Sequence, residues 1–144
     1  IRQEFLSTWI APRLCAGGKA QIKTHQANGD RVVMTTATNR FITELTAQHL
    51  GVQDLIATDA EIQKGLFTGK TAGVLNMREG KVTRLKMWCK AQALDWAQLE
   101  TWGYSDSIND LPLLEAVTHA TVTQGDVKLR AEAAKRGWPQ IEWF

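Results

Sequence analysis

The stretch Tyr104-Ser105-Asp106-Ser107-Ile108-Asn109-Asp110-Leu111-Pro112-Leu113-Leu114 sets two carboxylates four residues apart, after a strand-like run and before a helix start. Open α/β sheets collect ligands outside the carboxyl ends of their strands. An acidic pair at such an end suits a hard cation such as Mg²⁺, which takes oxygen ligands. A structural role is open as well, because Asn109 or Asp110 can cap a short helix by accepting from the free N–H groups of its first turn.

Outward from this stretch, short apolar strands alternate with helices. Arg31-Val32-Val33-Met34-Thr35-Thr36 is a β-branched run of the kind buried in parallel sheets and reads as a central strand. Asn39 is placed to cap the next helix, with Phe41, Ile42, Leu45 and Leu50 along one side and Gly51 as its stop. Asp54 to Thr58 reads as another strand, and residues 60–74, punctuated by Gly65, Gly69 and Gly73, as a hairpin. A helix opening at Gly80-Lys81-Val82 carries Val82, Leu85, Trp88 and Cys89 on one face and ends near Leu94. A strand from Glu100 to Ser105 leads into the acidic turn. A short helix from Leu111 to Val117 and a strand over Ala120–Thr123 follow. A helix from Asp126 stopped by Gly137 and an edge strand within 140–144 complete the pattern. At the other end Ile1, Phe5, Leu6, Trp9 and Ile10 recur at helical spacing up to Pro12, and residues 18–28 predict a further helix before Gly29. Crossover helices pack back onto the sheet, so this rhythm predicts an α/β fold with a parallel sheet covered on both faces.

With 144 residues the chain is of single-domain size, large enough to bury roughly two-thirds of its unfolded surface. Cys15 and Cys89 match no C-x-x-C pattern, so neither a disulfide framework nor a zinc knuckle is indicated, and a reducing cytoplasm fits. Seventeen basic residues against fifteen acidic ones leave a net charge of +2 with no basic block, which argues against a nucleic-acid partner. No apolar run approaches membrane-spanning length, so no membrane partner is expected. His25, His49 and His119 share no ligand spacing and read as surface or satisfied side chains. Trp9 and Trp88 lie on apolar helix faces and read as core, with Cys89 packing beside Trp88. Gly17-Gly18-Lys19 lacks the strand and the spacing of a phosphate-binding P-loop.

Three positions are set where such a fold gathers ligands: Thr36 at a strand end, Lys81 at a helix start, and Asp106 with Asp110 after a later strand. A hydroxyl, an ammonium and carboxylates together suit a phosphate held against Mg²⁺. Thr35 and Thr38 are alternative hydroxyls beside Thr36.

In this combination the sequence resembles the haloacid dehalogenase (HAD) superfamily, in particular its subfamily IB, the phosphoserine phosphatase-like branch. Val32 to Thr38 resembles the second motif, a hydrophobic strand ending in Ser or Thr. Glu79-Gly80-Lys81-Val82 resembles the third and Ser105 to Asp110 the fourth, although Ser105 stands where the wider superfamily usually has glycine. The likeness extends to Asp59 through Gly69 and to Arg136-Gly137-Trp138-Pro139. It implies a three-layer α/β/α Rossmann-like core, incomplete at the N-terminus, with residues 15–144 as the C-terminal portion of that core and residues 1–14 as the last helix of a cap. It also implies a Mg²⁺-dependent phosphatase acting on a small phosphorylated metabolite through an aspartyl-phosphate intermediate. Thr36 and Lys81 would be the catalytic phosphate-gripping groups, Asp106 the metal ligand and Asp110 the support of metal site and lysine, with Ala37 and Asn109 also at the phosphate.

The family's first motif, Asp-x-Asp-x-Thr or Ser, supplies the nucleophile and the general acid and base. No Asp-x-Asp pair exists among aspartates 30, 54, 59, 95, 106, 110 and 126. The expectation is that an N-terminal segment of the same protein supplies it and that this chain alone is inactive. Two other readings stay open: phosphoryl transfer to an acceptor other than water, and a non-catalytic phosphate-binding or interaction module.

Overall fold

β-Branched Val33 and threonines 35, 36 and 38 favour extended backbone, and the computed structural model, which describes residues 1–144, places them in β1 (Val33–Asn39). Asn39 ends the strand and caps α3 (Arg40–His49) by accepting the Phe41 N–H at 2.7 Å. β2 (Asp54–Gln63) runs parallel to β1 and turns at Lys64-Gly65 into the antiparallel β3 (Leu66–Ala72), which completes a three-stranded sheet in the order β1-β2-β3. Before β1 come α1 (Arg2–Phe5), continued by wider and tighter helical turns over residues 6–13, and α2 (Ala16–Ala27). These elements, with Asn76 at their end and Phe144, form the first of two compact units.

The second unit, Met77–Trp143, begins with α4 (Glu79–Ala91). β4 (Trp102–Ser105), β5 (His119–Thr123) and β6 (Gln140–Ile141) form an all-parallel sheet in that order, with Ser105 opposite Val122. Between them lie a 3₁₀ turn over Ile108–Asp110, then α5 (Leu111–Ala116) and α6 (Val127–Arg136). Gly137 closes α6 in the left-handed conformation at φ 69°, which glycine adopts without a Cβ penalty. Leu114, Ala120, Val122, Leu129 and Ala133 form the core of this unit, with Ile108, Val117 and Trp138 packed against it.

The strand and helix alternation, the hairpin, the cap at Asn39 and the helix start at Asp126 match the sequence reading. Several expectations are corrected. β1 has a strand on one flank only, so within its sheet it is an edge strand rather than a central one. The expected α/β fold with parallel strand pairing is present, with the hairpin strand β3 adding an antiparallel edge to the first of two three-stranded sheets. Trp9 is about half exposed instead of core, and α3 buries Thr43 and Ala47 while Phe41 and Ile42 on its apolar side stay about half exposed. Hydrophobic periodicity marks an apolar stripe without saying which end of it meets a neighbour. Phe41 instead stacks edge-on with Phe67 of β3, and the Arg2 guanidinium lies 4.2 Å above its ring.

Leu129 is 0% exposed at the centre of the second unit's core. Leu129→Ala is expected to lower stability by about 2–5 kcal/mol, the usual cost of such a cavity, read as the shift in urea unfolding midpoint.

Candidate active site

Ser105 ends β4, and the chain then turns sharply through Asp106 and Ser107. The Ser105 hydroxyl oxygen accepts the Ser107 N–H at 3.2 Å, and the Ser107 hydroxyl accepts the Asn109 N–H at 3.2 Å. Asp110 occupies the N-cap position of α5 but makes no capping hydrogen bond with its side chain. Its carboxylate turns inward. Lys81 Nζ lies 2.7 Å from Oδ1, and the Ser105 hydroxyl donates to Oδ2 at 2.6 Å. All three side chains are buried, with Lys81 7%, Ser105 7% and Asp110 9% exposed. Opposite charges matched at this distance, with the second oxygen also satisfied, are what a buried ion pair needs to offset its desolvation.

Asp106 stands in contrast. Its side chain is exposed and meets no cation or donor of the protein, while its carbonyl accepts the Asp126 N–H at 2.8 Å. Asn109 is likewise exposed. At the end of the neighbouring β5, Asp126 accepts the Ile108 N–H at 2.7 Å with Oδ2 and the Leu129 N–H at 2.8 Å with Oδ1. One carboxylate thus caps α6 and pins the acidic loop. Donation from Ile108 first, and then from Leu129, holds its pKa below the ordinary value. Gly125 just before it leaves no room for a Cβ, which would collide with Val122.

Lys81 is the third residue of α4, whose N-cap, Arg78, sits at φ 51° and ψ −127°. This region is costly for any residue with a side chain, and such strain concentrates at functional sites.

Thr36 and Ala37 belong to the first unit. Thr35 is paired with Ile56, and the register resumes at Asn39 opposite Thr58. Thr36, Ala37 and Thr38 therefore bulge from the ladder against the single Ala57. The Thr36 hydroxyl oxygen accepts the Thr38 N–H at 3.1 Å, which leaves its proton free to be donated. Thr35 Oγ1 is already engaged by the Asn76 amide at 3.0 Å.

The structure thus joins Lys81 to Asp110, leaves Asp106 and Asn109 open beside them in the same unit, and sets Thr36 and Ala37 on a bulge in the other. Sequence reasoning passed over Ser105, treated as a tolerated substitute for glycine, whereas its hydroxyl completes the Asp110 shell. It also passed over Asp126 as a brace of the acidic loop, and over Asn76 entirely. Only the hydroxyl gained at Ser105 was visible as a signal. His25 and His119 are satisfied by Asp30 and Glu100, each at 2.8 Å.

No three His, Cys, Asp or Glu side chains cluster to hold a metal by themselves. Mg²⁺ keeps several waters and often binds through one or two carboxylates plus substrate phosphate. The donor set here fits that habit with one carboxylate, Asp106, since both Asp110 oxygens are taken.

Residues 2–115 match the family described as haloacid dehalogenase-like hydrolases. The chain belongs to that HAD family. A histidinol-phosphatase of Neisseria meningitidis serogroup C is 32% identical over 99% of this chain and 65% of its own length. A crystal structure of a protein of unknown function from Bordetella pertussis Tohama I is 41% identical with a TM-score of 0.96, over 99% of this chain and 65% of that one. A probable phosphoserine phosphatase from Vibrio cholerae superposes with a TM-score of 0.71 at 17% identity, over 98% of this chain and 42% of that one. This last likeness concerns fold alone and is to an α/β, Rossmann-like architecture. The HAD chain spans just under two-thirds of the length of the Neisseria relative. No helix is long and apolar enough to cross a membrane.

Two outcomes are expected. Lys81→Ala leaves the Asp110 carboxylate buried without its cation and should cost about 3–5 kcal/mol in chemical denaturation. Asp126 has a folded pKa below the 3.8 of the free side chain, so its stabilisation is fully present above that value and is lost as pH falls through the folded one. Asp126→Asn keeps a capping acceptor but loses the charge, so melting temperatures of the variant should depend less steeply on pH below about pH 4 than those of the parent.

Proposed function

We propose that this chain is the phosphate- and metal-binding portion of a Mg²⁺-dependent HAD phosphatase that hydrolyses a small phosphomonoester through an aspartyl-phosphate intermediate. The observation that carries the reading is the buried Lys81–Asp110–Ser105 network next to the open Asp106 carboxylate. Lysine has three N–H donors. With one held by Asp110, two remain for phosphoryl oxygens, and the ion pair fixes the direction of the ammonium. Thr36 donates its hydroxyl proton to a phosphoryl oxygen, and the half-buried backbone of the bulge at Ala37 adds to the cradle. Asn109 is assigned an amide contact to phosphate. Asp106 holds the metal, which when bound neutralises phosphate charge.

These groups bind, orient and neutralise, which is how phosphoryl transfer is largely catalysed. The nucleophile is a different matter. No Asp-x-Asp pair occurs in the 144 residues, and we infer that a further segment of the same protein supplies it, with residues 1–14 belonging to a cap and 15–144 to the core. The name of the Neisseria relative, a histidinol-phosphatase, supports a small phosphorylated metabolite as substrate.

In the full-length protein, Mg²⁺-dependent phosphate release from a generic ester should be abolished by Asp106→Asn, with a fall of at least about 10²-fold and an unchanged thermal melt. Near-parental turnover in that variant would sink the assignment, and turnover that required an added alcohol would point to phosphoryl transfer instead.

A further inference from the structure

Asn76 is a polar side chain with 0% exposure that no motif of the family reading uses. Its Nδ2 lies 2.7 Å from the Thr36 carbonyl oxygen, 2.8 Å from that of Ile56 and 3.0 Å from Thr35 Oγ1. The two carbonyls belong to different strands: Ile56 lies on the last regular rung, opposite Thr35, and Thr36 is the first residue of the bulge. A bulge withdraws backbone groups from strand pairing, and buried backbone groups need partners from elsewhere. The Asn76 amide is that partner for both strands at once.

The arrangement is kept at a cost, because Asn76 Oδ1 is buried with no donor. An apolar side chain of similar size would remove that orphan but would also withdraw the shared donor from Thr36 and Ile56. Buried polar groups retained in this way call for an explanation beyond packing.

We propose that Asn76 is a positioning residue for the phosphate-gripping hydroxyl. Its amide, bonded to the Thr36 and Ile56 carbonyls, locks the bulge that presents the Thr36 hydroxyl to a phosphoryl oxygen. The inference rests on the reading of Thr36 given above, and it names the residue that holds Thr36 in place.

A double-mutant cycle in the full-length protein tests it, with inorganic phosphate as probe and its dissociation constant followed by ³¹P NMR in the presence of Mg²⁺. Thr36→Val should weaken phosphate about tenfold, as expected for one charge-assisted hydrogen bond. Asn76→Ala should weaken it about fivefold in the parent but by less than about twofold on top of Thr36→Val, because residues acting through one group do not add. A purely structural role would give the same factor in both backgrounds, and that result would overturn the proposal. Weakening by Thr36→Val with none from Asn76→Ala would overturn the role of Asn76 alone, whereas no effect of Thr36→Val would overturn the Thr36 reading and this one together. If Asn76→Ala does not fold, Asn76→Ser, which keeps one donor, carries the same cycle with a smaller factor in the parent and the same loss of effect in the Thr36→Val background.

Discussion

A lysine ammonium and an aspartate carboxylate held 2.7 Å apart in a water-poor interior are the constraint on which the candidate site depends. Each charge alone would be strongly penalised by burial, and the pair persists because the second carboxylate oxygen is also satisfied, by the Ser105 hydroxyl. One side chain comes from the start of α4 and the others from the end of β4 and the turn beyond it. The pair therefore ties a helix to a strand end, and it specifies one geometry because any other leaves a desolvated charge.

The neighbouring carboxylates divide the remaining work by environment. Asp126 spends both oxygens on backbone N–H groups, one in the acidic loop and one in the first turn of α6. It acts as a brace. Asp106, flanked by these two anchored positions, keeps its side chain open to solvent. A carboxylate that the fold leaves unspent, on a loop held at both sides, is well suited to an exchangeable hard ligand. On the other unit the hydroxyl oxygens of Thr35 and Thr36 each accept one hydrogen bond, from the Asn76 amide and from the Thr38 N–H.

The acidic turn, the strand before it and the helix after it could be read locally, since residue type and spacing set them. The cap at Asn39, the helix start at Asp126 and the stop at Gly137 were legible for the same reason: a side-chain oxygen or a missing Cβ acts within a turn of its own position. Trp9 was misread because an apolar stripe carries no record of which neighbour reaches it. β1 was read as central on its β-branched content, yet edge or centre depends on which strands arrive beside it. Asn76 lies in a stretch without periodicity or motif, and its three acceptors are 20 to 41 residues away in sequence.

By itself the sequence determined the α/β rhythm, the family and the chemical types available: one lysine at a helix start, a pair of acids after a strand, a threonine at a strand end. These follow from local stereochemistry and side-chain chemistry, which travel with the residues. Only the tertiary structure decided which acid is consumed by the lysine and which stays open, that Ser105 is a working hydroxyl, and that Asn76 reaches the Thr36 and Ile56 carbonyls. Those outcomes turn on hydrogen bonds a few ångströms long between residues remote along the chain, and nothing short of folding brings such partners within reach.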